Sequence, residues 1–396
     1  MSMDLSALEI MTKLISFPTV SRDSNLDLID WVESYLASHG ISSTRVPNPE
    51  GNKSAIYASV GPDASGGVVL SGHTDVVPVD GQDWSSDPWT VTERDGRYYG
   101  RGTCDMKGFD AIALWAMGQA AKLHADGKLK KPLQVALSYD EEIGCTGAPP
   151  MIAHMVANTD IPRAEAAIIG EPSTMQAVTG HKGGFGWDVH VKGFEVHSSL
   201  MHTGVSAILE SAKILSWINE TNAELAAKTP TAVAGMFEPP FTTVHSGTIE
   251  GGTAGNITAG DCRFDLDFRI VADESREDWE ARLMPFIDTL DAELKARHPD
   301  AGVIMNEDFS LPPLRPEENG AAETLVRAIT GDNASHVVSY GTEAGQFQEG
   351  GYSAVVCGPG DIAQAHQPDE FIEISEFEAG VRFQERLLAR LCEGQI

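Results

Sequence analysis

Thiols are scarce in this chain. Its 396 residues include five cysteines: Cys104, Cys145, Cys262, Cys357 and Cys392. The number is odd, the spacing is wide and no CxxC pair occurs, which excludes a disulfide framework and a thiolate zinc site and fits a reducing cytoplasm. Positive charge is also scarce. Lys and Arg total 28 against 58 Asp and Glu, a formal charge of −30. Such a surface repels phosphate backbones and anionic lipid, so no nucleic-acid and no membrane partner is expected. A basic or zwitterionic small molecule stays compatible with it, as does a surface acidic simply for solubility. No apolar run approaches the roughly 18 residues of a membrane span. The opening stretch MSMDLSALEIMTKLISF lacks a basic region and carries Asp4 and Glu9, which argues against a secretory signal.

What remains is ordinary globular composition, 42% hydrophobic and 22% charged. At about 150 residues per domain, the length suggests two or three domains. Residues 26–39 place Leu28, Val32, Tyr35 and Leu36 on one helical face, and Gly40 follows as a stop. Several short apolar runs then end in polar residues. Val68–Leu70 leads to His73 and Asp75, and Leu133–Leu137 to Asp140, Glu141 and Glu142. Ala166–Ile169 leads to Glu171, and Ser353–Cys357 to His366. With a helix over 108–123 between them, these runs predict an α/β domain with a mostly parallel sheet flanked by helices. In such sheets, sites form beyond the carboxyl ends of the strands.

The middle of the chain has a different period. Phe185, Trp187, Val189 and Val191 alternate with Gly186, Asp188, His190 and Lys192. Cys262, Phe264, Leu266, Phe268 and Ile270 alternate in the same way with polar residues. Period two predicts strands with one buried face, so His190 is expected at the surface. Helices are expected over 204–219, with Val205, Ile208, Leu209, Ala212 and Leu215 inward, and over 276–297, capped by Ser275 with Asp278. A last helix over 376–392 is expected to start from a Ser375/Glu378 capping box. The irregular stretch 307–320 reads as a connection. The expected organisation is a catalytic domain formed by 1–181 and 301–396, with an α+β domain, 182–300, inserted in it.

His73, Asp75, Asp105, Glu141, Glu142, Glu171 and His366 form the chemical constellation. Two imidazoles and three carboxylates can hold two divalent ions if one carboxylate bridges, and this donor set suits zinc, cobalt or manganese. Two ions about 3.5–4 Å apart can polarise a carbonyl and activate a water. A free carboxylate beside them can act as general base and then as proton donor.

The segments GHTDVVPVDGQDW, YGRGTCDMKG, DEEIGCTGA, GEPS and AHQPDEFI occur in this order. Over essentially its whole length the chain resembles the dizinc aminoacylases and exopeptidases, the family of acetylornithine deacetylase, succinyl-diaminopimelate desuccinylase, carboxypeptidase G and aminoacylase-1. The resemblance implies that His73, Asp105 and Glu171 hold one zinc and Asp105, Glu142 and His366 the other, with cobalt able to substitute. It implies that Asp75 orients His73, that Glu141 is the base, and that a cis peptide follows Asp105. It also implies that the inserted domain is a dimerisation lid, with His197, in VKGFEVHSSLMHTGVSAI, reaching the partner subunit's site to donate to the oxyanion. Asn256 and Arg269 fall where the family contacts substrate; for Arg269 an ion pair with Asp267 or Asp265 is the alternative.

Within the family, the segment GTEAGQF, with Gly341, Thr342 and Glu343, resembles the acetylornithine deacetylases. Desuccinylases carry a GTSDGRF-like sequence there, with a basic residue for an anionic substrate. A carboxylate at Glu343 suits the side-chain ammonium of ornithine, while backbone-bonded structural acid is the other reading. The resemblance therefore implies a cytoplasmic homodimer that converts N2-acetyl-L-ornithine to L-ornithine and acetate, a step of arginine biosynthesis. Another N-acyl amino acid, N-succinyl-diaminopimelate or a dipeptide as substrate, or a silent metal-binding scaffold, are the alternatives.

Overall fold

The computed structural model describes residues 3–396; the first two residues of the N-terminal stretch lie outside it. The chain divides into two compact units. The first comprises the residues up to Gly180, Pro316–His336 and Thr342–Ile396; the second comprises His181–Arg315 and Val337–Gly341. Among the described residues, no helix is long and apolar enough to cross a membrane.

The chain opens with α1 (Ala7–Ile15) and α2 (Leu26–Ser38), followed by β1 (Ser43–Pro47), β2 (Ser54–Val60) and β3 (Val68–His73). Next come β4 (Thr92–Arg94), β5 (Arg97–Tyr99), α3 (Lys107–Ala125), β6 (Leu133–Ser138), α4 (Ala148–Ala157), β7 (Ala166–Pro172) and β8 (Val178–His181). The second unit holds β9 (Gly183–Lys192), α5 (Ala207–Ala227), β10 (Thr243–His245), β11 (Ile249–Gly251), β12 (Asp261–Ile270), α6 (Arg276–Arg297) and β13 (Gly302–Leu311). The chain closes with α7 (Ala321–Thr330), β14 (His336–Val338), α8 (Ala344–Glu349), β15 (Ser353–Gly358), β16 (Phe371–Glu373) and α9 (Ile374–Glu393).

The main sheet has the order β1-β2-β6-β3-β7-β15-β8-β14. Its four middle strands are mutually parallel, and β2 and β8 join them antiparallel. The residues of β3, β6 and β7 are all buried, which is why each reads as a mostly apolar run rather than an alternating one. Register aligns their carboxyl ends: Val68 lies opposite both Leu133 and Ala166, and His73 opposite Ser138. Helix α3 packs against β3 and β6 on one side and α1 and α9 on the other. Phe109 of α3 lies so close to Gly170 that a Cβ there would fall 2.0 Å from the ring, so only glycine fits just before Glu171.

In the second unit, β9 is flanked by β12 and β13 in an antiparallel sheet. Phe268 stacks on Phe185 with centroids 4.7 Å apart and meets Trp187 and Trp279 at 5.8 and 5.5 Å. Ile214 and Ile218 of α5 and Leu283 of α6 complete this core.

Several local expectations need correction. Residues up to Leu311 are not a connection: β13 pairs with β9 from Gly302 to Leu311, so the inserted unit runs past 300 to Arg315. Helix α5 starts at Ala207 and buries Ile214, Ile218 and Leu225, leaving Ile208 and Leu209 exposed. Ser375 does not cap the last helix; β16 runs straight into α9, whose N-cap is Glu373. His190 is buried, bonded through Nε2 to Asp261 at 2.6 Å, because β12 and β13 cover the central strand on both sides. Helix α1 was not anticipated, although Ser6 and Glu9 form a full capping box there.

Phe268→Ala is expected to cost about 3–5 kcal/mol, because four aromatic rings meet there and the void cannot collapse. Chemical denaturation measures this; a loss under about 1 kcal/mol would show that the ring cluster does not hold the unit.

Candidate metal centre

The carboxyl ends of the parallel strands deliver most of the site. His73 ends β3 and Asp75 follows it. Glu141 and Glu142 lie in the turn after β6, Glu171 is the penultimate residue of β7, and His366 lies in the loop between β15 and β16. Asp105 comes from the turn between β5 and α3, and its peptide bond to Met106 is cis.

Asp105 stands between the two histidines. Its Oδ1 lies 3.1 Å from Nε2 of His73, and its Oδ2 lies 3.3 Å from Nε2 of His366. The neighbouring glutamates diverge to the two sides. Glu141 Oε2 is 3.9 Å from His73 Nε2, whereas Glu142 Oε2 is 3.0 Å from His366 Nε2. Glu171 Oε1 lies 3.6 Å from His73 Nε2. Nδ1 of His73 donates to the Asp75 carbonyl at 3.0 Å, with the Asp75 carboxylate 3.5 Å away, so Nε2 is left as the ligating nitrogen. Asp75 Oδ1 accepts from the amide of Glu141 at 3.2 Å, and Oδ2 from that of Glu142 at 3.4 Å.

The electrostatics follow from burial. Desolvation pushes the Glu141 carboxyl up to about 8, helped by neighbouring acids, and raises Glu142 and, strongly, Glu171. Asp105 is also disfavoured by burial, but the bonds from His366 and His73 outweigh it and hold its carboxyl below the usual range. Asp105 and Glu142 push His366 up to about 10; burial opposes charging His73, yet Asp105 and Asp75 raise it well above its ordinary value.

These residues fit divalent cations. The Oε1 atoms of Glu142 and Glu171 are buried without a hydrogen-bond partner. Among the described residues, the sets that could hold an ion are His73–Asp105–Glu142 and His73–Glu141–Glu171, with ligand atoms within 4.8 Å of one another. Nitrogen and carboxylate donors without thiolate match zinc, cobalt or manganese. All five cysteines are free.

Sequence reasoning missed several supporting residues. Lys53 pairs with Asp140 at 2.5 Å and also bonds the Ser21 carbonyl; the Ser21 hydroxyl donates to Asp75 at 2.7 Å. The Cys145 thiol donates to Glu141 Oε1 at 3.2 Å. Of these, only Cys145 carried a signal, standing four residues from Glu141 in DEEIGCTGA.

The remaining candidates fall differently. Glu343 is 1% exposed and accepts from the hydroxyls of Ser138 and Ser71, while Thr342 is equally buried and its hydroxyl accepts from the Ala344 amide. Burial pushes the Glu343 carboxyl up to about 7. The Glu343 carboxylate lies beneath β3 and β6, held by their serine hydroxyls rather than by backbone. At Gly341 a Cβ would meet Leu311 at 2.2 Å. Within the inserted unit, His197 is exposed, its Nδ1 2.8 Å from the Ser199 hydroxyl, and it bridges to Ile257 beside Asn256. Arg269 pairs with Asp267 at 3.0 Å and lies over the Phe309 ring.

A model of peptidase family M20/M25/M40 matches residues 69–390. Among curated proteins, the chain is 35% identical to a Myxococcus xanthus protein named acetylornithine deacetylase, covering 97% of each. It is 31% identical to one of the same name from Pasteurella multocida, covering 98% of this chain and 99% of the relative. Among solved structures, it resembles an M20 family metallo-carboxypeptidase from Sulfolobus solfataricus, with TM-score 0.74 and 18% identity over 98% of this chain and 100% of that one. It also resembles a dinuclear metal-binding M20 peptidase from Bacillus subtilis, with TM-score 0.65 and 13% identity over 98% of each. These two structural likenesses are likenesses of fold.

The carboxylates beside them raise His73 and His366, so ion binding there is expected to displace protons. Titrating zinc into chelated protein at pH 7.5 is expected to release at least one proton per chain, read by calorimetry in buffers of different ionisation enthalpy. Binding without proton release would show that the two imidazoles are already neutral before the ion arrives.

Proposed function

The chain belongs to peptidase family M20/M25/M40, and from that premise we propose that it removes the acetyl group from N2-acetyl-L-ornithine, giving L-ornithine and acetate. It is a hydrolase of amide bonds. The observation that carries the chemistry is Asp105 turning one oxygen to each imidazole, with the Glu141 carboxylate alongside. The substrate reading is supported by the curated relatives named acetylornithine deacetylase over nearly the whole length. It is also supported by Gln346, in Gly341–Phe347, where desuccinylases carry a basic residue.

We assign one zinc to His73, Asp105 and Glu171 and the other to Asp105, Glu142 and His366; cobalt suits the same donors. When bound, such ions supply Lewis acidity to a carbonyl and acidify water. Asp75 fixes the His73 ring and, through two amides, the turn carrying Glu141 and Glu142. Glu141 takes a proton from the attacking water and returns it to the departing amine nitrogen, so that acetate and free amine result. Asn256 and Arg269 contribute substrate contacts.

The protein acts, in this reading, as a cytoplasmic homodimer joined through the inserted unit. Leu200, Met201, Ile208, Leu209 and Ile249 are large apolar residues exposed on that unit, which supports a protein-covered face. His197, next to Leu200, donates a hydrogen bond to the oxyanion of a second copy's substrate.

Two measurements test this. N-acetyl-ornithine, N-acetyl-methionine, N-succinyl-diaminopimelate and a dipeptide are assayed side by side on zinc- or cobalt-loaded protein. A kcat/KM for acetylornithine at least about tenfold above the rest, roughly 1.4 kcal/mol of discrimination, is expected. A different leader overturns the substrate and keeps the hydrolase; no turnover on any, with metal bound, overturns the deacetylase. Second, Glu141→Gln is expected to lower kcat about 10²–10⁴-fold with metal content unchanged. Near-normal turnover in that variant would sink Glu141 as the base.

A further inference from the structure

Glu370 follows His366 by four residues and touches no ligand atom. Its side chain is fully buried. Its place is set by a small sheet: β16 pairs with β5, with Phe371 opposite Tyr99 and Ile372 opposite Tyr98. The pairing extends one step further, the Gly100 amide donating to the Glu370 carbonyl at 3.0 Å. The Glu370 side chain therefore falls against the turn that leads from β5 to Asp105.

All of its acceptor capacity is spent on that turn. Oε2 accepts from Nη1 of Arg101 at 2.7 Å and from the Gly102 amide at 3.0 Å. Oε1 accepts from the amides of Cys104 at 2.9 Å and Asp105 at 3.0 Å. Arg101, itself fully buried, carries the connection onward. Its Nη2 donates to Gln82 Oε1 at 2.7 Å, and Gln82 Nε2 donates to the His366 carbonyl at 3.1 Å. One carboxylate is thus bonded directly to the backbone of Asp105 and, through Arg101 and Gln82, to that of His366.

We propose that Glu370 is a positioning residue for the metal centre, fixing the backbone of Asp105 and tying the His366 loop to it. The proposal rests on the reading of Asp105 as the ligand shared by both ions. Its physical basis is a satisfiability argument. Four N–H donors converge on two oxygens, a demand that an ionised carboxylate meets. An amide cannot meet it. Whichever way a glutamine at 370 is turned, its NH2 faces two donors, either the amides of Cys104 and Asp105 or Arg101 and the Gly102 amide. The turn must then open, and Asp105 must leave the line between the two imidazoles. Losing a group that orients metal ligands typically costs about 10–100-fold in metal affinity.

The test is competition of the chelated, folded protein against a chromophoric chelator, giving zinc stoichiometry and affinities. Wild type is compared with Glu370→Gln, Glu370→Asp, Asp105→Ala and Ile372→Ala. The last removes buried apolar volume from the same strand and none of the four hydrogen bonds to the turn, so it reports what instability alone does. Glu370→Gln is expected to weaken binding of at least one ion about tenfold or more and to shift the visible spectrum of the cobalt form. Ile372→Ala, compared at equal loss in thermal midpoint, is expected to bind within about twofold of wild type. Glu370→Asp keeps both oxygens but retracts them, is expected to give an intermediate loss, and decides the matter if the glutamine variant does not fold. Wild-type affinities and an unchanged cobalt spectrum in the Glu370 variants, or a loss no greater than that of Ile372→Ala, overturn the proposal and leave the two-ion centre standing. Fewer than two ions on wild type, or no effect of Asp105→Ala, overturns the reading of Asp105 and this proposal with it.

Discussion

The constraint on which this structure turns is the burial of too many carboxylates in one place. Asp75, Asp105 and Glu171 are almost wholly buried, with Glu141 and Glu142 at their side, and only the imidazoles of His73 and His366 interleave with them. Taking a carboxylate out of water is costly unless charge or hydrogen bonds replace the hydration. The protein meets part of this demand with backbone amides on Asp75 and with Lys53 at the edge. The rest stays unmet in the polypeptide, as the raised carboxyls and the bare oxygens of Glu142 and Glu171 record. A cluster built in this way holds cations because its own chemistry is incomplete without positive charge.

Where the sequence was legible, it was because burial leaves a simple mark. The central strands β3, β6, β7 and β15 are covered on both faces, so each is a mostly apolar run, and the polar residue that ends the run marks the site end. β12 was legible for the opposite reason: one face is buried and the residues alternate. β13 carried no such mark. Most of its middle, Met305 to Phe309, is polar because that strand is largely exposed, and only its pairing with β9 makes it a strand. Ser375 looked like a cap, but the β16 strand delivers the chain into α9 two residues earlier.

The site divides in the same way. His73, Asp105, Glu142, Glu171 and His366 were legible as residue types at strand ends and in recognisable segments. Lys53 and Ser21 were not, and Glu370 went unread although it stands in AHQPDEFI, because their work is hydrogen bonding between segments far apart in the chain, which leaves no periodicity. The partners of Glu343 were hidden for a related reason. Nothing in GTEAGQF marks the serine hydroxyls of β3 and β6 that enclose its carboxylate.

The interleaving of β15 and β16 with the first strands bears on how the protein is made. β15 lies between β7 and β8, and β16 pairs with β5, although the residues joined stand about 190 to 270 positions apart. A ribosome that has released only the first 300 residues has exposed β7 without its neighbour β15, and Asp105 without His366. The inserted unit draws its sheet from one continuous stretch, Gly183–Leu311, and can close as soon as that stretch emerges. The metal centre therefore dates from the final moments of synthesis. A message truncated within its last tenth yields a chain with a finished second unit and an acid-rich, uncompleted first one.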